Sequence, residues 1–328
     1  MAEHIHVPDE WKQVSPESLK GTIMVIGRSD SGKTTFACYL FEELCRYHER
    51  VGFLDCDMGQ STLGLPTTMT LALSTPGDDT LARPRGKILP LGLSPSGLNP
   101  SGESLGAKPL RRASVSEATF PPRGEVVSYF VGSTSPRGNM LPTVIGAYKL
   151  QRKAQELDAE AIVVDTTGLV DRAAGGGALK QWKVELLEPS ALIGIERGAE
   201  LEHILWPWRW DKRVRVFELP VCKSVTEKAR VDRIAYRESQ FRSYFEHAHM
   251  LMVPIGAVVV FEIEKMTGSR LLALQNQQGF ALALGVAKAY DRDTRTLAVI
   301  TPLPSLEGVS SIRFGSLNLD PATGQEIR

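Results

Sequence analysis

The sequence has few cysteines and no long apolar run. Its four cysteines, Cys38, Cys45, Cys56 and Cys222, form no C-x-x-C pair, which argues against a zinc site and is typical of reduced thiols in a cytoplasmic protein. No apolar stretch approaches the roughly 18 residues of a membrane span, and residues 1–20 lack the apolar segment of an export signal. We therefore predict no membrane contact and no export.

The chain also has no excess charge of either sign. Lys and Arg together number 38, as do Asp and Glu, so the formal net charge is zero. This balance excludes a global positive field that would attract nucleic acid or a membrane, and any polyanion must meet a local basic patch. With 328 residues, 42% of them hydrophobic, the chain can bury a large core as one large domain or two modest ones.

Apolar runs of strand length alternate with helical patterns over residues 21–219. The helical pattern at 141–157 has Val144, Ile145 and Tyr148 on one face. Alternation of this kind predicts an α/β fold with a parallel sheet covered by helices on both faces. The predicted strands are 21–26, 51–55, 126–131, 161–165, 191–195 and 214–219.

Three segments set the predicted domain organisation. Residues 74–125 are rich in Pro, Gly and Ser and contain several arginines, and we interpret them as a mobile insertion, with a strand-binding arm as the alternative. Residues 226–247 read as a charged helix, and the short alternating segments of 250–328 predict a small β-rich C-terminal domain. The expected division is an N-terminal segment over 1–20, a main domain over 21–249 and the C-terminal domain.

The segment GRSDSGKT at 27–34 fits the P-loop pattern and lies between a predicted strand and a predicted helix, as the motif requires. Backbone N–H groups of such a loop form a concave anion site. Lys33 can reach the β- and γ-phosphates, and the Thr34 hydroxyl can ligate Mg²⁺. We predict a P-loop NTPase fold that binds ATP or GTP with Mg²⁺. The residues expected to hold the nucleotide are Gly27, Ser29, Asp30, Ser31, Gly32, Lys33, Thr34 and Thr35.

Carboxylates follow two of the predicted strands. Asp55 and Asp57 end the second strand and point into the crevice at the carboxyl ends of the strands. One can hold the hydration shell of Mg²⁺, and the other can accept the proton of an attacking hydroxyl; the alternative is a single metal-binding aspartate with a solvated neighbour. The DTTG segment at 165–168 ends another strand at the equivalent rim, where its glycine allows close approach of a substrate, although switch-type NTPases share this pattern.

Arginines and tryptophans provide weaker signals. The WPWRW segment at 206–210 has rings that could stack on bases, but core packing is the commoner fate of tryptophan. For the charged helix, the sequence alone favours a solvated face. Its arginines, which share one broad face, are Arg230, Arg233, Arg237 and Arg242.

Taken together, these motifs resemble the polynucleotide 5′-hydroxyl kinase family, which includes the pre-mRNA cleavage-complex kinase and ribosomal-RNA processing kinases. The resemblance extends from about Val7 to the C-terminus. Beyond the P-loop it rests on FLDCDMGQ at 53–60, YFVGSTSP at 129–136, DTTG at 165–168 and the arginine helix, which resembles the family's lid and ends in Tyr244 and Phe245.

The resemblance implies roles for the residues around the phosphates. Lys33 and Thr34 would bind phosphates and Mg²⁺, while Asp55 and Gln60 would organise the metal and its waters. Asp57 would be the base or hydroxyl-orienting residue and, with Gln60, would contact the substrate. The substrate implied is an RNA or DNA with a 5′-hydroxyl end.

The resemblance also implies a substrate clasp and a lid. Thr166 and Gly168 would hold the terminal nucleotide, and Arg233 and Arg237 would close over the phosphates. Leu169 stands where the family's clasp has tryptophan, so base stacking would need Trp182 or another aromatic residue. The chain starts about twenty residues before the P-loop strand. We therefore expect a compact form of the family that lacks the extra N-terminal domain of its eukaryotic members.

Three functions remain open from the sequence. A kinase that phosphorylates 5′-hydroxyl ends accounts for the paired aspartates and the arginine lid, because a charge-spread transition state needs positioning and cationic stabilisation. A nucleotide-dependent switch in RNA processing would not need the second strand-end aspartate and would release phosphate without a nucleic-acid substrate. A catalytically weak scaffold would not need Lys33, Asp57 and both lid arginines together.

Overall fold

The computed structural model describes residues 7–74, 124–223 and 225–327. The insertion predicted at 74–125 lies outside the described residues except at its two ends. Within the described ranges the helices are α1 (Lys33–Leu44), α2 (Met140–Glu156), α3 (Gly176–Leu187), α4 (Glu202–Leu205) and α5 (Arg230–Phe245). The strands are β1 (Gly21–Gly27), β2 (Val51–Asp55), β3 (Thr68–Leu73), β4 (Val126–Phe130), β5 (Ala161–Asp165), β6 (Ala191–Glu196), β7 (Arg215–Pro220), β8 (His249–Pro254), β9 (Val259–Phe261), β10 (Arg270–Gln275), β11 (Ala281–Asp291), β12 (Thr296–Thr301), β13 (Ser311–Leu319) and β14 (Glu326–Ile327).

Five adjacent parallel strands, which we call the central strands, form one end of the sheet in the order β2-β5-β1-β6-β7, with β7 at the edge. Strands β2 and β5 are wholly buried, because helix α1 packs on one face of the sheet and helices α2, α3 and α4 pack on the other. Continuous apolar strands are what such double coverage requires. The predicted α/β fold with a parallel core is confirmed, and the strand order brings the carboxyl ends of β2, β5 and β1 together.

One side of the sheet departs from the parallel prediction. Strand β3, which the sequence analysis did not predict, pairs antiparallel with β2, and β4 pairs antiparallel with β3. The connection from β2 to β3 contains no helix, and a parallel pair needs a long crossover, usually a helix. Strand β4 therefore runs in the same direction as β2, as the prediction for residues 126–131 expects, but the reversed strand β3 lies between them.

The C-terminal part is strand-rich, as predicted, and it extends the central sheet. Strand β11 pairs with β4 through Ala281 and Ser128, while β10, β11, β12 and β13 pair antiparallel. The two parts meet closely, because a Cβ atom built on Gly315 would lie 2.8 Å from the Gly132 carbonyl oxygen. Nothing in these contacts tests the boundaries of the predicted domains, which stay a prediction.

Helix α5 has its C-terminal half anchored on the C-terminal strands. Phe241, Tyr244 and Phe245 are buried in a core shared with β10 and β11, and the backbone N–H of Leu284 donates to the Tyr244 hydroxyl at 2.8 Å. The helix begins at Arg230, later than the sequence predicts. Its N-terminal half is free of this core and reaches toward the carboxyl ends of the central strands.

Two further observations bear on the composition. None of the helices in the described ranges is both long and apolar enough to span a bilayer. None of the four cysteines is disulfide-bonded.

Candidate functional site

The P-loop connects β1 to α1 and has the backbone shape of an anion site. Gly32 precedes the helix with φ = 83°, a left-handed conformation that glycine adopts without strain. The first N–H groups of α1 lack intrahelical acceptors and carry the positive end of the helix dipole. The Lys33 amine donates to the carbonyl of Arg28 at 2.8 Å, so it lies back over the loop. This cradle fits a polyphosphate.

The other predicted nucleotide-binding residues lie along the same loop. A Cβ on Gly27 would lie 2.6 Å from the Ile195 carbonyl oxygen, so only glycine fits there. Ser29 and Thr35 are exposed. Ser31 is buried, and its hydroxyl has no hydrogen-bond partner among the described residues.

Thr34 is bonded to an aspartate that the sequence analysis did not select. Its hydroxyl donates to Asp165 Oδ2 at 2.6 Å, and Asp165 is fully buried at the end of β5. Burial raises the pKa of Asp165 to about 7, against the opposing charge of Lys33. Its Oδ1 atom has no partner among the described residues. This hydroxyl and carboxylate together form an oxygen donor pair of the kind that divalent cations prefer.

Asp55 makes a different set of contacts from the one predicted for a metal-organising residue. Its Oδ2 atom accepts hydrogen bonds from the Ser61 hydroxyl at 2.8 Å and from the backbone of Thr62 and Leu63 at 2.6 and 3.1 Å. Its Oδ1 atom accepts the N–H of Asp57 at 2.9 Å. Burial raises the pKa of Asp55 to about 6, although these donors oppose the shift. The side chain holds the loop after β2, and its role toward a metal stays a prediction.

Asp57 is half-buried at the rim and keeps one carboxylate oxygen for a ligand. Its Oδ1 atom accepts the backbone N–H groups of Gly59 and Gln60 at 3.0 and 3.1 Å. Within the described ranges no hydrogen bond reaches its Oδ2 atom. The Gln60 amide donates to the carbonyl of Arg233 at 3.2 Å. Asp57 is therefore oriented by its own loop, and Gln60 links that loop to helix α5.

The DTTG segment lies against the P-loop, and the side chain of Thr166, which we predicted to hold the substrate's terminal nucleotide, is bonded inside the sheet instead. The Thr166 hydroxyl is buried and donates to the Val25 carbonyl at 2.8 Å, so it is engaged inside the sheet; a contact of Thr166 with substrate would have to come from its backbone. Gly168 lies against the P-loop, because a Cβ there would be 2.5 Å from the Ser29 nitrogen. We call residues 166–172 the clasp loop.

Helix α3 carries two buried lysines that were not among the predicted site residues. The Lys180 amine donates to the Thr167 carbonyl at 2.6 Å and contacts its hydroxyl at 3.2 Å. Burial, with the neighbouring charge of Lys183, holds the pKa of Lys180 well below its usual range. Lys183 is equally buried. Their positions three residues apart on α3 are the one signal that sequence offered.

Helix α5 brings one of its two predicted phosphate-binding arginines to the P-loop. The Arg233 guanidinium forms an ion pair with the Asp30 carboxylate, and the Tyr236 hydroxyl donates to the Ser61 carbonyl at 2.8 Å. Arg237 instead pairs with Glu326 at 3.1 Å. The solvated-helix alternative therefore does not describe this face, and Arg237 does not reach the P-loop in this conformation.

The three tryptophans of the 206–210 segment differ in environment. Trp208 is buried in the core under α4, as the commoner interpretation expected. Trp206 and Trp210 are exposed by 54% and 74%, so they are available to a ligand.

Comparisons with known proteins found a matching family model and several similar proteins. The family model described as mRNA cleavage and polyadenylation factor CLP1 P-loop matches residues 27–80 and 99–247. A polyribonucleotide 5′-hydroxyl-kinase of Methanocaldococcus jannaschii is 26% identical over 93% of this chain and 88% of its own length. A polyribonucleotide 5′-hydroxyl-kinase of Pyrococcus furiosus is 24% identical over 90% of this chain and 87% of its own length.

A polynucleotide 5′-hydroxyl-kinase of Arabidopsis thaliana is 38% identical over a shorter stretch, which covers 20% of each chain. Among solved structures, the wild-type Clp1p–Pcf11p complex contains a chain that matches with a TM-score of 0.59 at 13% identity, over 91% of this chain and 74% of that one. At this identity the structural likeness concerns the fold alone.

Proposed function

The chain belongs to the CLP1 P-loop family, and on that premise we propose that it is an ATP-dependent polynucleotide kinase, which transfers the γ-phosphate to the 5′-hydroxyl end of RNA. The relatives that match most of its length are named as polyribonucleotide 5′-hydroxyl-kinases. Their name is the reason to prefer RNA over DNA as the acceptor.

One observation of the structure supports the proposed kinase function independently of the family. Three separate parts of the chain meet at one edge of the sheet: the P-loop, the carboxylate of Asp57 and the guanidinium of Arg233, which pairs with Asp30. A phosphate cradle, a base and a cation are what phosphoryl transfer to a hydroxyl requires. A switch-type NTPase has no need of a base oriented toward an acceptor.

The roles of the residues follow from their positions. Lys33 and the α1 N-terminus bind the β- and γ-phosphates. Asp57 Oδ2 accepts the proton of the 5′-hydroxyl as the hydroxyl oxygen bonds to the γ-phosphorus, and the bond from that phosphorus to the β,γ-bridging oxygen breaks. Arg233 exchanges its partner Asp30 for the oxygens of the transferring phosphoryl group, where it stabilises charge in the transition state. The products are ADP and a 5′-phosphate end.

The donor set at the end of β5 fits Mg²⁺. The Thr34 hydroxyl and the Asp165 carboxylate, which has an unpartnered Oδ1 atom, would hold the cation, and bound Mg²⁺ would neutralise charge on the β- and γ-phosphates. The described residues contain no group of three or more His, Cys, Asp or Glu side chains suited to a metal. This agrees with a cation held mainly by substrate phosphates and water, as Mg²⁺ usually is.

Incubation of the purified protein with γ-labelled ATP and 5′-hydroxyl oligonucleotides tests the proposal. We expect label at the 5′ end of RNA, less on DNA of the same sequence, and none on an oligonucleotide that already carries a 5′-phosphate. GTP in place of ATP tests the donor.

Lys33→Ala should lower transfer by about a hundredfold or more, because a preorganised cation is lost. Release of inorganic phosphate at the same rate with and without RNA would contradict the kinase function and favour the switch. A cytoplasmic location stays a prediction.

A further inference from the structure

A cavity of about 550 Å³ opens beside the P-loop. Its walls come from Arg28 of the P-loop, from the clasp loop at Val170 and Asp171, and from the turn after α4 at Trp206 and Pro207. Its volume lies within the range of small-molecule sites in proteins, roughly 300–1,000 Å³. Nothing in the function proposed above uses this cavity.

The position of the cavity favours the acceptor over the nucleotide donor as its ligand. The donor's phosphates bind at the N-terminus of α1, which packs on one face of the sheet. The cavity is built instead from α4 and the residue stretch after Gly168, on the face covered by α3 and α4.

The charges of the cavity favour a neutral ring over a phosphate. Arg28 and Arg172 line it together with Asp171, Glu200 and Glu202, so its walls carry no excess of positive charge. A phosphate group needs such an excess. The Asp171 carboxylate can instead accept a hydrogen bond from the amino or imino group of a nucleobase, whereas Glu200 is already bonded to the backbone of its own loop and Glu202 to Arg209.

Trp206 supplies a stacking surface that is already oriented. Its ring packs against Trp210 with ring centroids 6.2 Å apart, and the Arg209 guanidinium lies 5.8 Å from its centroid. Arg209 is itself held by Glu202 and Glu218, each at 2.7 Å. Because its neighbours fix the ring, little conformational entropy is lost when a ligand stacks on it.

We propose that this cavity, the Trp206 pocket, binds a nucleobase near the 5′ end of the acceptor strand, stacked on Trp206. The inference rests on the proposed kinase function, since it gives that reaction a site for its acceptor. Base stacking on an aromatic ring tolerates every base, so the pocket adds affinity for a single-stranded end without selecting a sequence.

The test compares Trp206→Ala with Trp182→Ala in the full chain. Trp182 is an exposed tryptophan on α3 that does not line the cavity, and it is the aromatic residue that the sequence analysis considered as a stacking partner. Binding of a labelled 5′-hydroxyl RNA octamer is measured by fluorescence anisotropy in the presence of a non-hydrolysable ATP analogue. The octamers carry either every base or a single abasic site at nucleotide 1, 2 or 3.

We expect Trp206→Ala to weaken RNA binding about 5- to 150-fold, the range of one stacked base, and Trp182→Ala to bind like the wild type. One abasic position should weaken binding to the wild type by a similar factor and should cost nothing further in Trp206→Ala. The KM for ATP should be unchanged in both variants. Thermal melts confirm that the exposed substitutions leave the fold intact.

Several outcomes would overturn the pocket. The pocket is contradicted if Trp206→Ala binds RNA as tightly as the wild type, or if Trp182→Ala loses as much affinity. It is also contradicted if an abasic site weakens binding to Trp206→Ala by the same factor as binding to the wild type. A raised KM for ATP in Trp206→Ala would assign the cavity to the base of the donor. The kinase function is judged separately by label transfer. Trp206-dependent RNA binding without any transfer would contradict the kinase function alone, and normal transfer with Trp206-independent binding would contradict the pocket alone.

Discussion

Asp55 and Asp165 occupy paired positions on neighbouring strands, yet only Asp165 meets Thr34. The reason is the strand order, since β5 lies between β2 and the P-loop strand β1. Sequence shows two aspartates at the ends of two apolar strands and cannot show which strand is adjacent to β1. The residues within the P-loop motif could be predicted because their geometry is local, whereas the partner of Thr34 is set by a contact between distant segments.

Asp57→Asn separates catalysis from folding at the same strand end. The amide keeps an oxygen for the N–H groups of Gly59 and Gln60 but cannot accept the substrate proton. We expect kcat to fall by about 10²- to 10⁴-fold, the usual worth of a general base, with ATP binding and the melting temperature unchanged. Rapid-quench kinetics with 5′-hydroxyl RNA measure kcat, and calorimetric melting measures the melting temperature. Wild-type kcat would remove Asp57 from the reaction.

Asp55→Ala should behave in the opposite way. Four donors from the loop after β2 lose their acceptor, and a buried donor left unpaired costs about 1–3 kcal/mol. The substitution also removes the free-energy cost of burying a carboxylate, and this gain offsets part of the loss. We expect the free energy of unfolding to fall by about 2 kcal/mol in urea denaturation, with Asp57→Asn as the control. An Asp55→Ala variant as stable as the wild type would show that the loop does not depend on this carboxylate.

At the scale of elements, helix α5 carries on its first two turns the two arginines for which we predict a lid role, and one of them, Arg233, pairs with Asp30 of the P-loop. Its existence and its arginine face could be predicted from the sequence, but which arginine reaches the P-loop could not. That choice depends on how Phe241, Tyr244 and Phe245 seat the helix on the C-terminal strands. An amphipathic pattern gives the buried face of a helix and not its axial position on a distant sheet.

Arg233→Ala should lower kcat by about a hundredfold or more with little change in the melting temperature. An arginine that acts on the transition state supplies on the order of 10³–10⁵ in rate, whereas an ion pair that keeps contact with solvent, as the 30% exposed Arg233 side chain does, contributes about 0.2–1 kcal/mol to stability. Arg233→Lys should recover little, because lysine lacks the planar fork that grips two phosphate oxygens. Steady-state kinetics with the exposed Arg242→Ala as control provide the check, and equal turnover in both alanine variants would refute the role.

Arg237 pairs with Glu326 in the structure, whereas we predicted that it binds the phosphates. Substitutions of the two partners can separate a role in phosphate binding from a role in anchoring helix α5. The Glu326 side chain is 39% exposed, so the pair is weak and can give way to a more highly charged triphosphate. If Arg237 turns to the phosphates, Arg237→Ala lowers kcat at least tenfold while Glu326→Ala does not, and this is the outcome we expect. Equal, mild losses in both variants would mean that the pair only anchors the helix.

At the scale of the whole molecule, the contact of Gly132 with Gly315 joins the P-loop sheet to the C-terminal strands. The Ser316 N–H and hydroxyl both donate to the Gly132 carbonyl, at 2.7 and 2.9 Å. The strand-rich character of the C-terminal part could be predicted from alternating residues. Its continuity with the central sheet could not, because the pairing of β11 with β4 leaves no local pattern.

Gly315→Ala should destabilise the P-loop part and the C-terminal strands together, so that the chain still unfolds in a single transition. The new Cβ would lie 2.8 Å from the Gly132 oxygen and 2.9 Å from the Phe130 ring, and overpacking of this kind typically costs about 1–3 kcal/mol. Gly256→Ala is the matched control, since its Cβ would meet nothing within 4 Å. We expect coincident unfolding transitions by circular dichroism and tryptophan fluorescence, shifted only in Gly315→Ala. Two separate transitions would show that the parts unfold independently.

The pairing of β4 with β11 also bears on how the chain reaches its folded state. Strand β4 has β3 on one side and, on the other, a partner that comes much later in the chain. During synthesis or refolding its outer edge stays open until the late strand arrives, and open strand edges recruit other chains. Closing contacts between such distant segments is slow because loop-closure entropy must be overcome first. Refolding at high concentration, or expression of the P-loop part without the later strands, therefore exposes an aggregation-prone edge that β11 blocks at Ser128 in the complete sheet.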